Sequence, residues 1–171
     1  ASTSMGFGQP SKIEFASKLA AAIGYIALLG YDRVSAEAFS STRSRQLAPC
    51  RGKASAHKFF SFLEAIEPEG GTELEHSTRS YVTRNRSRGI AVLFTDFYDE
   101  AGFEGTLRRL LQSGSDPYVI HVLSFEEIDP LVSGDLKLRD CETGAFTEIS
   151  VSPALLKRYK KNLEGFCETI R

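Results

Sequence analysis

The hydrophobic positions of this chain switch between helical and extended spacing. Across residues 13–29 apolar side chains recur every three or four positions, which predicts an amphipathic helix. Ser11 precedes this helix as a candidate N-cap, and Gly30 follows it as a stop signal. Two short apolar runs, residues 90–94 and 119–123, are typical of strands that are covered on both faces.

The remaining segments continue an alternation of helices and strands. We predict strands over 32–40 and 43–49, helices over 54–66, 72–85 and 103–111, a hairpin over 135–151 and a final helix from Pro153. This order favours an α/β fold, a doubly wound, mostly parallel open sheet with helices on both faces. Runs 90–94 and 119–123 should be neighbouring central strands. Residues 126–130 are interpreted as an acidic loop.

The hairpin and the domain count follow from turn chemistry and composition. Strands 136–139 and 146–151 should pair antiparallel at the edge of the sheet, with Gly144 supplying a positive φ in the turn. Nothing in the sequence marks a linker or a repeat. We therefore expect residues 1–171 to form a single domain.

A strand is missing from this order at its start. A doubly wound sheet needs a central strand that feeds the first helix, whereas residues 1–8, ASTSMGFG, have the composition of a turn. We therefore expect the chain to be a fragment of a longer protein, in which an apolar strand precedes Ala1.

Charge and cysteine content narrow the functional classes. The formal net charge of the 171 residues is -1, so no overall field favours nucleic acid or an anionic membrane. No apolar run reaches the roughly 18 residues that a membrane span needs. The 3 cysteines form no CxxC pair, which favours free thiols in a reducing cytosol. We expect a cytoplasmic protein that does not bind nucleic acid and has no membrane span in this chain.

Hard oxygen donors occur at three points that the predicted fold brings to one edge. Ser2 and Ser4 precede the first helix, Thr72 follows a glycine pair, and Asp96 ends the strand over 90–94. Ligands of doubly wound sheets bind at the carboxyl ends of the strands, where these loops meet. Hydroxyl and carboxylate oxygens are ligands of Mg²⁺, so these four residues are candidate metal ligands.

The four residues resemble the metal-ion-dependent adhesion site of von Willebrand factor A-type domains. That motif reads Asp-x-Ser-x-Ser, then a distant Thr and a distant Asp; Ser2, Ser4, Thr72 and Asp96 match its last four members. Its first Asp would precede Ala1 and is absent. The resemblance implies Mg²⁺ or Mn²⁺ binding in the full-length protein, with weak or no binding expected in this chain.

A wider resemblance covers nearly the whole chain. The segments STSMGFG, KIEFASKLAAAIGYIALLGYDRV, VLFTDFYDE and LRDCETGAF resemble a bacterial family of unknown function that is built on a divergent A-type domain. Members of that family are often encoded near MoxR-type AAA ATPases. The resemblance therefore implies a role in assembly or chaperoning, with such an ATPase as a partner.

Two functional classes remain open. In the first, a non-enzymatic protein-interaction domain holds a metal ion that leaves one position for a partner's Asp or Glu. In the second, an enzyme uses Asp96 as a phospho-accepting or phosphatase-like aspartate. Receiver-type chemistry needs a Lys at the end of a later strand, where Ser124 and Phe125 stand, and dehalogenase-type chemistry needs an Asp where Tyr98 stands. We expect the interaction domain rather than an enzyme.

Overall fold

The computed structural model describes residues 1–41, 44–71, 73–85, 88–99, 102–141 and 144–170. Within them the chain forms a mixed α/β structure. The α-helices are Lys12–Leu29 (α1), Ala56–Glu64 (α2), Leu74–Arg84 (α3), Glu104–Gln112 (α4), Phe125–Ile128 (α5) and Pro153–Ile170 (α6). The strands are Val34–Phe39 (β1), Ser44–Cys50 (β2), Ile90–Thr95 (β3), Asp116–His121 (β4), Gly134–Arg139 (β5) and Phe146–Val151 (β6).

Most predicted elements are present with small shifts of their ends. Helix α1 begins after Ser11, whose hydroxyl accepts a hydrogen bond from the backbone N–H of Glu14 at 3.3 Å. This N-cap satisfies one of the donors that the first turn leaves free. The predicted loop over 126–130 is wrong in part, because Phe125–Ile128 forms one turn of helix. The described part of the chain contains no helix long and apolar enough to cross a membrane.

The described strands form three two-stranded sheets rather than the single open sheet that the sequence predicts. Strands β1 and β2 pair antiparallel, and β3 and β4 pair parallel, with Ile90 opposite Asp116 and Thr95 opposite His121. The prediction that runs 90–94 and 119–123 are neighbouring strands is therefore confirmed. Strand β4 begins earlier and ends at His121.

Strands β5 and β6 form the predicted antiparallel hairpin. Gly144 has φ +73° at its turn, and its N–H donates to the carbonyl of Asp140 at 2.9 Å. Residues 142–143 of the predicted turn lie outside the described residues. The hairpin pairs with no other strand in the described ranges, so it does not lie at the edge of a larger sheet there.

Two apolar clusters hold the elements together. One joins α1 to α2 through Leu28, Phe59 and Leu63, and the other packs Met5 and Val122 with Ala16 of α1. The first cluster depends on a glycine, because a Cβ on Gly24 would lie 2.2 Å from the ring of Phe59. Phe59 is 3% exposed, so its ring could make room for the methyl group only by shifting within the interior, where Gly24 and Phe59 both line a cavity.

Strand β3 is less covered than its apolar sequence predicts. Ala91 and Thr95 are buried, but Ile90 is 71% exposed. A cavity of about 690 Å³ lies beside this strand and extends to β1. The expected coverage of both faces is therefore incomplete within the described residues.

We predict that Gly24→Ala destabilises the protein by about 1–3 kcal/mol, because the added methyl group overlaps the buried ring of Phe59. Gly165→Ala in α6 is the matched control. A Cβ there meets nothing within 4 Å, so this change should stabilise the helix by about 0.5–1 kcal/mol. Urea denaturation checks both. Equal free energies of unfolding for the two variants would contradict the packing of α1 on α2.

Candidate functional site

The chain begins with a turn that is fixed to a distant loop. Residues Thr3–Gly6 form a single 3-10 turn. The backbone N–H of Thr3 donates to the carbonyl of Gly70 at 2.8 Å, and the Thr3 hydroxyl donates to the same carbonyl at 3.1 Å. These two bonds place the neighbouring hydroxyls of Ser2 and Ser4 at the end of β3.

Three of the four predicted site residues come together. The hydroxyls of Ser2 and Ser4 lie 2.8 Å apart, and Ser4 donates to Asp96 Oδ2 at 3.2 Å. Ser2 and Asp96 are each 4% exposed. The fold thus brings hydroxyls from the first turn to a carboxylate 92 positions along the chain. The fourth predicted residue, Thr72, lies outside the described residues.

The segments on either side of position 72 are fixed at the same edge. The N–H of Gly71 donates to the hydroxyl of Ser41, which follows β1, at 3.0 Å. The N–H of Leu74, the first residue of α3, donates to Asp99 Oδ2 at 2.6 Å. Asp99, which lies four positions after the end of β3, therefore satisfies a donor at the start of α3.

A buried lysine, which the sequence reasoning missed, lies at the centre of the site. Lys12, in the first turn of α1, is 1% exposed. Its ammonium donates to Asp96 Oδ2 at 2.8 Å and to Glu127 Oε1 at 2.7 Å. A charge so far from water requires partners of opposite charge, and these two carboxylates provide them.

Glu127 reaches the ammonium from the short helix α5. Its Oε2 accepts from the N–H of Ser124 at 2.7 Å, and its own N–H donates to the Ser124 hydroxyl at 3.1 Å. This reciprocal capping box fixes the Glu127 side chain at the start of α5. The Glu127 carbonyl also accepts from the Tyr159 hydroxyl of α6 at 2.7 Å.

The backbone turns sharply after Asp96. Phe97 is 3% exposed and has φ +59°, a value that a bulky side chain rarely adopts. Its N–H donates to Thr95 Oγ1 at 3.0 Å. The turn directs Tyr98 back over the site, where its ring centroid lies 5.2 Å from the Lys12 ammonium. This geometry adds a cation–π contact to the ion pairs.

Burial and negative charge affect the aromatic residues around the site. Burial, and then the charges of Glu127 and other neighbours, raises the pKa of Tyr98, so its phenol remains protonated. Burial lowers the pKa of His121, whose ring lies between the rings of Phe97 and Phe166. Phe166 also stacks on Tyr98 with centroids 5.9 Å apart. Helix α6 thus closes one side of the site.

The oxygens of Ser2, Ser4 and Asp96 are of the kind that a hard divalent cation binds. However, the Lys12 ammonium already contacts Asp96 Oδ2, so a metal ion on this oxygen would lie against a like charge. No group of three or more His, Cys, Asp or Glu residues suited to a metal ion occurs among the residues described. The present arrangement does not fit a divalent cation unless Lys12 moves away. The predicted metal site stays a prediction.

The sequence contained only a faint signal for Lys12 and Glu127. Lys12 follows the N-cap of a helix, where a lysine is ordinarily solvated, and no spacing rule relates it to Asp96. Glu127 belongs to the segment 126–130, which the sequence analysis interpreted as an acidic loop. The pair Ser124 and Glu127 has the S-x-x-E spacing of a capping box, which would have predicted the helix.

Comparison with known proteins gives a family without an assigned function. The family model described as "Protein of unknown function DUF58" matches residues 1–165. The chain therefore belongs to the DUF58 family. No curated protein and no solved structure matches it.

We predict that Lys12→Met lowers the free energy of unfolding by about 3–5 kcal/mol, because it leaves the buried carboxylate of Asp96 and the partly buried carboxylate of Glu127 without their cation. Lys18→Met is the matched control. Lys18 also lies on α1 and pairs with a carboxylate, that of Glu14, but its side chain is 69% exposed. Lys18→Met should therefore change the free energy of unfolding by less than about 1 kcal/mol.

Denaturant titration of both variants tests this difference. If Lys12→Met lowered the free energy of unfolding no more than Lys18→Met does, the Lys12 ammonium would not be an essential part of the site.

Proposed function

We propose that this domain is a non-enzymatic protein-interaction module built on an incomplete metal-ion-dependent adhesion site. In this proposal the Lys12 ammonium supplies the positive charge of the site, and Glu127 stands in for the acidic side chain of a partner. The main support for this proposal is the position of the Lys12 ammonium, whose Nζ lies 2.8 Å from Asp96 Oδ2 and 2.7 Å from Glu127 Oε1. A partner's Asp or Glu would compete with Glu127 for this ammonium.

The different settings of the two carboxylates support these different roles. The Asp96 side chain is 6% exposed and belongs to the end of β3, next to the serine turn. The Glu127 side chain is 14% exposed and belongs to a helix of only 4 residues. A single helical turn gains little stability from its own hydrogen bonds. Glu127 is therefore the acid that an incoming carboxylate would displace.

The surface beside Glu127 has the composition of a protein contact. Four large apolar side chains within eight positions of the chain are exposed: Phe125 by 64%, Ile128 by 50%, Leu131 by 87% and Val132 by 42%. Isolated exposed apolar residues are ordinary, but several in one segment beside a charged site are typical of interaction surfaces. A partner that buried them would place its acidic side chain near Lys12.

A MoxR-type AAA ATPase is the partner that we propose, on the strength of the family resemblance. We predict that Glu127→Gln binds such an ATPase roughly tenfold more tightly than the unaltered chain, because the internal acid no longer competes. Glutamine also serves in a capping box, so the change removes the charge and keeps the helix cap. Isothermal titration calorimetry with the purified ATPase measures the affinities.

Glu126→Gln is the control for this experiment. Glu126 lies on the same helix, but its carboxylate accepts from the N–H of Gln9 rather than from Lys12. Equal affinities for both variants and the unaltered chain would contradict the competition by Glu127. Failure of every form to bind would contradict the choice of partner.

One contact favours the enzymatic alternative. Lys12 supplies an ammonium beside Asp96, as receiver-type chemistry requires, although from α1 rather than from a later strand. In that reaction an Asp96 oxygen would attack the phosphorus of acetyl phosphate and acetate would leave. The 4% exposure of Asp96 weighs against this access. If a phosphorylated Asp96 were trapped after incubation with acetyl phosphate, the enzymatic function would replace the proposed interaction function.

A further inference from the structure

Helix α1 is apolar around nearly its whole circumference. It has 18 residues, and its charged side chains are Lys12, Glu14 and Lys18, all in the first half of the helix. From residue 19 to residue 29 no side chain is charged. A helix of this composition is ordinarily enclosed by other elements on every side. A face of α1 that lies open to solvent is therefore unusual.

One side of α1 is covered by the rest of the chain. Leu28 packs with Phe59 of α2 in the first apolar cluster, and Gly24 lies against the same ring. Ala16 is buried in the second cluster with Met5. At about 3.6 residues per turn, Ala16, Gly24 and Leu28 project from the same half of the helix. This half is the face that α1 turns towards the interior.

The opposite side of α1 carries an apolar stripe. Its residues are alternately four and three positions apart, and we call them the α1 stripe: Phe15, Leu19, Ala22, Ile26 and Leu29. Phe15 is 52% exposed, Ile26 70% and Leu29 48%. Alternating steps of four and three keep side chains in one narrow line, which is the spacing of a helix that packs against another helix. Much of this line is open to solvent.

The α1 stripe is symmetric about its middle residue. Ala22, which is exposed, lies midway between Phe15 and Leu29. If two copies of α1 cross antiparallel at Ala22, each Phe15 meets the Leu29 of the other copy, and Ala22 meets its own equivalent. A surface that complements itself in this way is what a two-fold dimer requires. The small residue at the centre lets the two helix backbones approach closely.

Charge favours the antiparallel arrangement over the parallel one. In a parallel pair the helix dipoles would be aligned, and Glu14 and Lys18 would each lie beside the same residue of the other copy. In the antiparallel pair the helix ends of opposite partial charge lie together, and these like charges are separated. Within each copy Lys18 Nζ and Glu14 Oε1 are 2.6 Å apart. The two charges beside the stripe therefore already neutralise each other.

The size of the stripe determines how strong such a contact is. From Phe15 to Leu29 it spans about 21 Å, and a helix is about 10 Å wide. Two such faces bury roughly a few hundred Å² per copy, less than the roughly 800 Å² per partner of a standard interface. The pairing should therefore be weak and should depend on protein concentration.

We propose that the α1 stripe is the contact surface of a weak two-fold homodimer, in which the α1 helices of two copies pack antiparallel and cross at Ala22. Lys12 is buried and is not part of the stripe, so the dimer leaves the contacts of each ammonium in place. The two Lys12 residues lie roughly 30 Å apart along the paired helices. The dimer thus carries its two ammonium sites at opposite ends of the contact.

Sedimentation equilibrium from micromolar to millimolar concentration tests the dimer. The mass should rise from that of one copy to that of two. Ile26→Lys should raise the dissociation constant by at least about tenfold, because each dimer would then bury two charges. Ile90→Lys is the matched control, since Ile90 is 71% exposed but lies on β3, and it should leave the dissociation constant unchanged. A chain that stays monomeric, or equal effects of both variants, would overturn the proposal.

Crosslinking tests the antiparallel arrangement. Cys141, which is exposed, is first replaced by Ser. With a mild oxidant, Ala22→Cys should then form a disulfide-linked dimer. Phe15→Cys alone should not, because the two copies of this position would lie about 21 Å apart, too far for a disulfide. No crosslink at position 22, or a crosslink of Phe15→Cys to itself, would overturn the arrangement.

A vesicle assay covers the other occupant that an apolar helix face could have. Flotation with phosphatidylcholine vesicles should leave the chain unbound. If the chain bound these vesicles and Ile26→Lys abolished the binding, a lipid surface would be the occupant of the α1 stripe, and the homodimer would be overturned.

Discussion

The ammonium of Lys12 connects three parts of the chain through two charged contacts. It links the first turn of α1 to the end of β3 through Asp96, and to α5 through Glu127. Burying charges costs several kcal/mol per ion unless each has close partners, so this cluster tolerates little change in geometry. The positions of all three elements therefore depend on one side chain.

The loops at this edge reinforce each other through backbone contacts. Thr3 bonds to Gly70, Ser41 to Gly71, and Leu74 to Asp99. These bonds join the beginning of the chain to the ends of β1 and β3 and to the start of α3. A site formed by loops is usually mobile, but here each loop is held by its neighbours. The small sheets thus share an organised edge although no ladder joins them in the described residues.

The convergence of Ser2, Ser4 and Asp96 could be predicted because it depends on topology. Parallel strands of an α/β fold present their carboxyl ends at one edge, so polar residues that end strands meet there. The ion cluster could not be predicted in this way. The position of a flexible lysine side chain depends on packing, and the positive φ of Phe97 that brings Tyr98 over it leaves no mark in the sequence.

For the strand over 90–94, the sequence predicted the element and its neighbour but not how far the strand is covered. Its uniformly apolar sequence correctly predicted a strand, which is a local property, and the alternation of helices and strands predicted its parallel neighbour. Its exposure could not be read from composition, since coverage depends on which other segments lie beside it. Ile90 is therefore 71% exposed because of what lies beside it, although the apolar pattern correctly identified the strand.

Helix α6 gives the site a mechanical connection to the β5–β6 hairpin. No described residue of this helix is buried, yet Tyr159 holds the Glu127 carbonyl and Phe166 stacks on Tyr98. Its 18 residues make a rod about 27 Å long, whose amino end follows directly on β6. A shift of Glu127 or Tyr98 acts on this rod at two points along its length. Only Ser152 separates this helix from β6, so the hairpin and the side chains that close the site belong to one continuous segment.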